Sequence, residues 1–127
     1  MPSSKPRRRF EDIIQNIDAA RRYTAGMTAG QFVADDKTVD AVERCLSRIS
    51  EAASKLAEQA EALAPGEEWG KIRGLGNLLR HEYDVIERPV LWDIIEHNLV
   101  PLRLACERAI QLIEHGLDRD PGEHPPG

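Results

Sequence analysis

Residues 72–84 of this chain, IRGLGNLLRHEYD, concentrate residue types that bind phosphate groups and move protons. At about 100° per residue, five of them share about a third of the circumference of a helix: Arg73, Asn77, Arg80, His81 and Asp84. Arginine presents a fork of donors that matches a phosphate, and histidine exchanges protons near neutral pH. Together they could cut RNA without a metal: the 2′-hydroxyl attacks its own phosphate, histidine transfers a proton and arginine stabilises the developing charge.

A solvated polar face is the alternative interpretation of this stripe, with His81 bonded to a neighbouring carboxylate. Composition alone favours that alternative, because charged stripes on helices are common. The same segment holds three glycines, Gly70, Gly74 and Gly76, each of which costs up to about 1 kcal/mol relative to alanine inside a helix. We expect close approach of another backbone to compensate for that cost.

Apolar residues recur at helical spacing through most of the chain, and no segment shows a strand pattern. A first helix is predicted from Phe10 to 24–26, and Thr28 with Gln31 fits a capping box. Asp35 or Asp36 begins a second helix whose regular apolar seam runs unbroken to Leu63. The pattern predicts an all-α, up-and-down bundle of four to five helices.

The bundle continues with a third helix that starts at residues 67–69 and a fourth that starts at Pro89. Pro101 is expected to kink or split the fourth. The core domain is therefore assigned to residues 10–115. Residues 1–9 are predicted to be a disordered basic tail, and residues 116–127 a disordered Pro- and Gly-rich tail.

The charge distribution argues against a general nucleic-acid-coating protein. The 127 residues carry a net charge of -5, although residues 1–9 are basic. No apolar run approaches the roughly 18 residues that span a membrane, and no signal peptide is evident. Cys45 and Cys106 are expected to be reduced core thiols of a cytoplasmic protein.

No metal or cofactor is expected. The histidines outside the stripe, His97, His115 and His124, lack paired ligands and are assigned to packing or solvent contact. Trp69 and Trp92 are assigned to the core rather than to base stacking.

From Phe10 to about Ile113 the chain resembles the HEPN ribonuclease-toxin family, specifically the HepT-like proteins paired with minimal nucleotidyltransferase antitoxins. The similarity runs through DIIQNIDAARRYTAGMTAGQFVADDKTVDAVERCLSRISEAASKL, WGKIRGLGNLLRHEYDVI and VLWDIIEHNLVPL. Its most specific element is a motif formed by Ile72, Arg73, Gly74, Asn77, His81 and Tyr83.

The resemblance implies a homodimeric helical fold with active sites at the dimer interface and metal-independent cleavage of RNA by an Arg-x4–6-His motif. It implies that His81 is the catalytic histidine and that Tyr83 receives AMP from the antitoxin, which silences the toxin. Asn77 and Asp84 are assigned to RNA phosphate binding or to support of the site. The expected partners are RNA, the nucleotidyltransferase and a second copy of the chain, with no role for DNA or membranes.

The chain departs from the family at one position. The family's arginine lies five residues before the histidine, where this sequence has Gly76. Either Arg73 or Arg80 takes its place in catalysis, or the protein is a non-catalytic HEPN-fold protein that binds a nucleotidyltransferase or a nucleotide. On the first interpretation, Gly76→Arg restores the family pattern, provided that the side chain fits.

Overall fold

The structure, a computed structural model, describes residues 4–80 and 87–116. Those ranges contain seven helices and no strand, which confirms the all-α prediction. The helices are α1 (Ser4–Thr24), α2 (Ala29–Val33), α3 (Asp36–Leu56), α4 (Glu58–Leu63), α5 (Trp69–Arg80), α6 (Arg88–His97) and α7 (Leu99–Glu114). Five of them are long and form the predicted bundle, while α2 and α4 have only 5 and 6 residues.

Helix α1 lies between α3 and α7, and α5 packs against α3. Helix α6 packs on α2 and α7. The apolar seams of these helices meet in one core whose largest fully buried side chains are Trp69, Phe10, Phe32, Ile13, Ile17 and Leu46. Burial of these seams supplies the main force that holds α5 in place, since hydrophobic burial dominates folding.

The predicted start signals of two helices are confirmed. Thr28 and Gln31 exchange hydrogen bonds of 3.1 and 2.9 Å as a capping box, and the short helix that follows buries Phe32 against Trp92, with ring centroids 5.4 Å apart. The Asp35 carboxylate accepts the Thr38 backbone N–H at 3.1 Å. That hydrogen bond lowers the pKa of Asp35.

The prediction of a disordered tail over residues 1–9 is wrong for residues 4–9, because α1 begins at Ser4. Pro6 is buried in its first turn, where a missing N–H removes no helical hydrogen bond. Arg7 also bonds Glu114 at the end of α7, with an N···O distance of 2.6 Å. Residues 117–127 of the other predicted tail lie outside the described residues.

The predicted second helix is broken. Ala57 adopts a positive φ of 51° and separates α3 from α4. Leu56 and Ala60 are buried on either side of this turn, so the apolar seam continues across it. The spacing of the apolar residues therefore gives no sign of the turn. The fourth predicted helix is split at Asn98, and Pro101 occupies the first turn of α7, where its missing N–H is tolerated.

Within residues 4–80 and 87–116, no helix is long and apolar enough to cross a membrane. The same ranges contain no group of three or more His, Cys, Asp or Glu side chains placed to hold a metal ion.

Candidate functional site

Helix α5 carries the described part of the polar stripe, and Trp69 anchors its start. The Trp69 indole is 1% exposed and donates its Nε1–H to the Ala64 carbonyl at 2.8 Å. Its ring meets Phe10 edge to face, with centroids 6.3 Å apart. Both tryptophans belong to the core or pack against it, as predicted. This anchor fixes which face of α5 points away from α3.

Arg73 is held by its own chain. Its guanidinium pairs with both carboxylate oxygens of Glu61, at 2.9 and 2.6 Å. It also donates to the backbone carbonyls of Ala53 and Ala57. Those carbonyls lie at the end of α3 and in the turn to α4, where helical hydrogen bonds run out. Arg73 therefore caps α3 and ties α3, α4 and α5 together.

The pairing of Arg73 with Glu61 shifts the pKa values of both groups in the directions expected for a salt bridge. Hydrogen bonding to Glu61 raises the pKa of Arg73, although partial burial opposes the shift. The same bond lowers the pKa of Glu61. Sequence reasoning missed this partner, because Glu61 lies 12 residues before Arg73 across two turns and no local pattern connects them.

Gly76, which occupies the position of the family's arginine, is buried against α3. Its backbone N–H donates to the Ser50 hydroxyl at 2.9 Å, and that hydroxyl donates to the Arg73 carbonyl at 2.8 Å. Ser50 itself is only 2% exposed. Gly76 thus lies against α3 through the Ser50 side chain, whereas the predicted close approach of another backbone stays a prediction.

The opposite face of α5 is exposed to solvent within the described residues, and we call it the open face. Asn77 and Leu78 are exposed, and Leu78 is 45% accessible to solvent. A Cβ atom added at Gly70 or Gly74 would meet no described atom within 4 Å. Within the described part of the chain these two glycines are therefore not explained by packing against another helix.

The remaining stripe residues are only partly placed. Arg80 is the last residue of α5, and only its backbone is described. His81, Tyr83 and Asp84 lie outside the described residues. The structure thus places Asn77 on the open face of α5, while the Arg73 side chain bonds the ends of α3 and α4.

Neither His97 nor His115 belongs to a group of three or more potential metal ligands in the described ranges. A ring nitrogen of His97 lies 3.1 Å from the Asp93 carbonyl, and His115 is the C-cap residue that follows α7. His124 lies outside the described residues. Cys45 and Cys106 are buried free thiols, and burial raises the pKa of Cys106 to about 12.

A helical bundle in which this sequence motif begins on α5 is typical of one class of protein. The family model "Ribonuclease HepT-like" matches residues 13–113, which include the whole Ile72–Tyr83 motif, and the chain belongs to this HepT-like family.

Relatives of known name agree with that assignment. "Putative RNase MJ0127" of Methanocaldococcus jannaschii is 35% identical over 101 residues, covering 80% of this chain and 83% of the relative. "Probable ribonuclease HepT" of Thermococcus cleftensis is 28% identical over 99 residues, covering 78% of this chain and 90% of the relative. No solved structure matches the chain significantly.

Proposed function

We propose that this protein is a metal-independent endoribonuclease and the toxin of a toxin–antitoxin pair. The observation that carries the proposal is that the family match spans the His81-containing motif, on and just after α5. The names of the relatives support RNA as the substrate. Burial of both cysteine thiols suits a reduced, cytoplasmic protein.

The proposed chemistry is transesterification within RNA. His81 accepts the proton of the 2′-hydroxyl, whose oxygen attacks the adjacent phosphorus. The bond from phosphorus to the 5′-oxygen breaks, the leaving oxygen takes up a proton, and a 2′,3′-cyclic phosphate remains. Arg80 and Arg73 are the proposed stabilisers of the phosphate charge, with Asn77 and Asp84 supporting the site.

The pairing of Arg73 with Glu61 restricts the access of Arg73 to a substrate phosphate. Arg73 reaches a phosphate only after leaving Glu61 and the carbonyls of Ala53 and Ala57. We therefore assign Arg80 the direct phosphate contact and Arg73 a smaller share of it.

The decisive assay is cleavage of RNA by purified protein in excess EDTA, with His81→Ala as the control. We expect cleavage that persists in EDTA, leaves cyclic phosphate ends and falls at least a hundredfold in His81→Ala. Circular dichroism must show that the variant folds. Equal cleavage by a folded His81→Ala would reject the assignment.

We further propose that a minimal nucleotidyltransferase silences the toxin by adding AMP to Tyr83. The tyrosine lies two residues from His81, so the added phosphate brings negative charge to the site that binds RNA phosphate. Mass spectrometry after co-expression with a cognate nucleotidyltransferase should find AMP on Tyr83. Unchanged modification of Tyr83→Phe would contradict this.

A second candidate function is a non-catalytic HEPN-fold protein that binds the nucleotidyltransferase or a nucleotide. It is favoured by the burial of Gly76, which leaves no arginine at the family's position, and by the internal pairing of Arg73. The cleavage assay distinguishes the two functions. The second function predicts a stable complex with the nucleotidyltransferase and no His81-dependent cleavage.

A further inference from the structure

Five basic side chains lie along the outer faces of α1 and α3, far in sequence from the motif. We call this surface the α1–α3 basic face, formed by Arg9, Arg22, Arg44, Arg48 and Lys55. The three on α3 fall within about 40° of one another and extend over about 16 Å of helix. The chain as a whole carries a net charge of -5, so a local cluster of basic side chains is not expected from its composition.

A shared cavity places Arg9 of α1 beside Arg48 and Lys55 of α3. A cavity of about 280 Å³ is lined by Arg9, Asp12 and Asn16 of α1 together with Arg48, Glu51 and Lys55 of α3. Near the other end of the face, burial raises the pKa of Cys45, and the charges of Arg48 and Arg22 oppose that rise.

The acids on this surface neutralise only part of the charge. Asp12 pairs with Arg9 at 3.7 Å, and Glu51 pairs with Lys55 at 3.0 Å. Asp40 lies at the edge, one turn before Arg44. No ion pair involves Arg44 or Arg48 within the described residues. Two arginines are thus available to an outside anion.

An exposed aromatic ring completes the surface. Tyr23 is 48% exposed, and the Arg22 guanidinium lies 5.9 Å from its ring centroid. Single-stranded nucleic acids are commonly held by basic grooves with aromatic rings on which bases stack. The other large exposed apolar side chains in the described ranges lie on α5, α6 and α7, so this face lacks the apolar centre typical of a protein interface.

We propose that the α1–α3 basic face is a second contact for single-stranded RNA, separate from the cleavage motif. Arg44 and Arg48 bind backbone phosphates, and Tyr23 stacks under a base. The proposal rests on RNA being the substrate, as proposed above. Because the proposal assigns these residues to binding, substituting them should weaken the binding and cleavage of long RNA. The rate of cleavage of a minimal substrate should stay unchanged.

The test is the fluorescence anisotropy of a labelled 20-nucleotide uridine RNA, measured from low to moderate NaCl in the His81→Ala background that leaves the RNA intact. Arg44→Gln/Arg48→Gln should weaken binding about five- to tenfold and flatten the plot of log affinity against log salt by about 1.4, since each phosphate contact contributes about 0.7. The matched control, Lys71→Gln/Arg108→Gln, removes the same charge from exposed sites on α5 and α7 and should change affinity less than twofold. Tyr23→Ala should weaken binding and Tyr23→Phe should not.

Three results would overturn the proposal. The first is that the protein with Arg44 and Arg48 intact binds no RNA, and the second is that both double variants lose RNA affinity equally. The third is that the Arg44→Gln/Arg48→Gln protein loses only its binding of a nucleotidyltransferase, which would make the face a protein interface.

Cleavage of a UpA dinucleotide with His81 restored separates this proposal from the proposed function. The Arg44→Gln/Arg48→Gln protein should keep wild-type dinucleotide cleavage and lose efficiency only on long RNA. If wild type cleaves neither substrate yet the binding differences persist, the nuclease function fails and the RNA-binding face stands.

Discussion

Arg73 shows how one side chain in the motif can have a structural role. Arg73→Ala removes the contacts to Glu61 and to the carbonyls of Ala53 and Ala57. We expect it to lower the free energy of unfolding by about 1–2 kcal/mol, a value discounted because Glu61 is half exposed. Urea denaturation measures this directly.

Glu61→Gln separates the structural role of Arg73 from a catalytic one. This variant weakens the pair while leaving the guanidinium in place, so it should destabilise the fold less than Arg73→Ala. If Arg73 also binds substrate phosphate, its release from Glu61 should raise the rate of RNA cleavage. A Glu61→Gln protein that cleaves more slowly than wild type would argue that Arg73 acts only from its capped position.

Gly76 is expected to resist restoration of the family pattern. It lies on the face of α5 that carries Trp69 and Ile72, and its N–H contacts the Ser50 hydroxyl. An arginine side chain there overfills the contact with α3, so Gly76→Arg should cost about 1–3 kcal/mol of stability and give no gain of cleavage. Lys71→Ala, at an exposed position on the same helix, is the control and should have little effect. A stable Gly76→Arg protein that gains His81-dependent cleavage would show that α3 yields at this point.

At the residue scale, the sequence shows which chemical groups share a helix face, but it does not show which residues those groups contact. The spacing placed Arg73 and Asn77 on one stripe, since both follow the helical period. It could not reveal that Arg73 reaches Glu61 or that Ser50 contacts Gly76, because those contacts depend on the packing of α3, α4 and α5. Short-range pattern contains no information on such tertiary pairs.

Between elements, a salt bridge joins α1 and α7 and gives the fold a predictable acid response. Arg103 donates to both carboxylate oxygens of Asp18, at 2.7 and 3.1 Å, and this bond lowers the pKa of Asp18. A carboxyl whose pKa is lower in the folded state stabilises the fold above its unfolded value of 3.8, and the contribution is lost as pH falls through the folded value.

Asp18→Asn should therefore be less stable than wild type at pH 7, by about 1 kcal/mol or less, since both partners are about one-third exposed. The difference should shrink below pH 4 and vanish once Asp18 is protonated in wild type. Thermal denaturation from pH 2 to 7 measures it, and Asp93→Asn, an exposed carboxylate, serves as the control. A deficit that is constant with pH would mean that the amide disturbs packing rather than charge.

Element boundaries were predicted well where a local signal exists. The capping box at Thr28, the Asp35 cap and the split near Pro101 each rest on side chains within a few residues of the boundary. The break at Ala57 was missed because no glycine or proline marks it, and its carbonyl bonds Arg73 from another helix. The fold class followed from periodicity, whereas this turn depended on a distant side chain.

For the whole molecule, the open face of α5 bears on assembly. The family resemblance implies a homodimer with composite sites, and α5 presents Leu78 beside two glycines that contact no described helix. Small residues allow two backbones to approach closely. A partner placed here would lie beside Asn77, which belongs to the motif.

We predict that light scattering at micromolar concentration gives twice the 14.2 kDa of one chain. Leu78→Glu should shift the protein to monomer and abolish cleavage together, because a charge at a buried interface position loses its hydration. Leu104→Glu on α7 changes a side chain of similar exposure, 49% against 45%, and should leave the dimer intact. If Leu104→Glu dissociates the dimer and Leu78→Glu does not, the interface lies on α7. The site on α5 would then contain no residue from the partner subunit. A wild-type protein that is monomeric and still cleaves RNA would remove the composite site altogether.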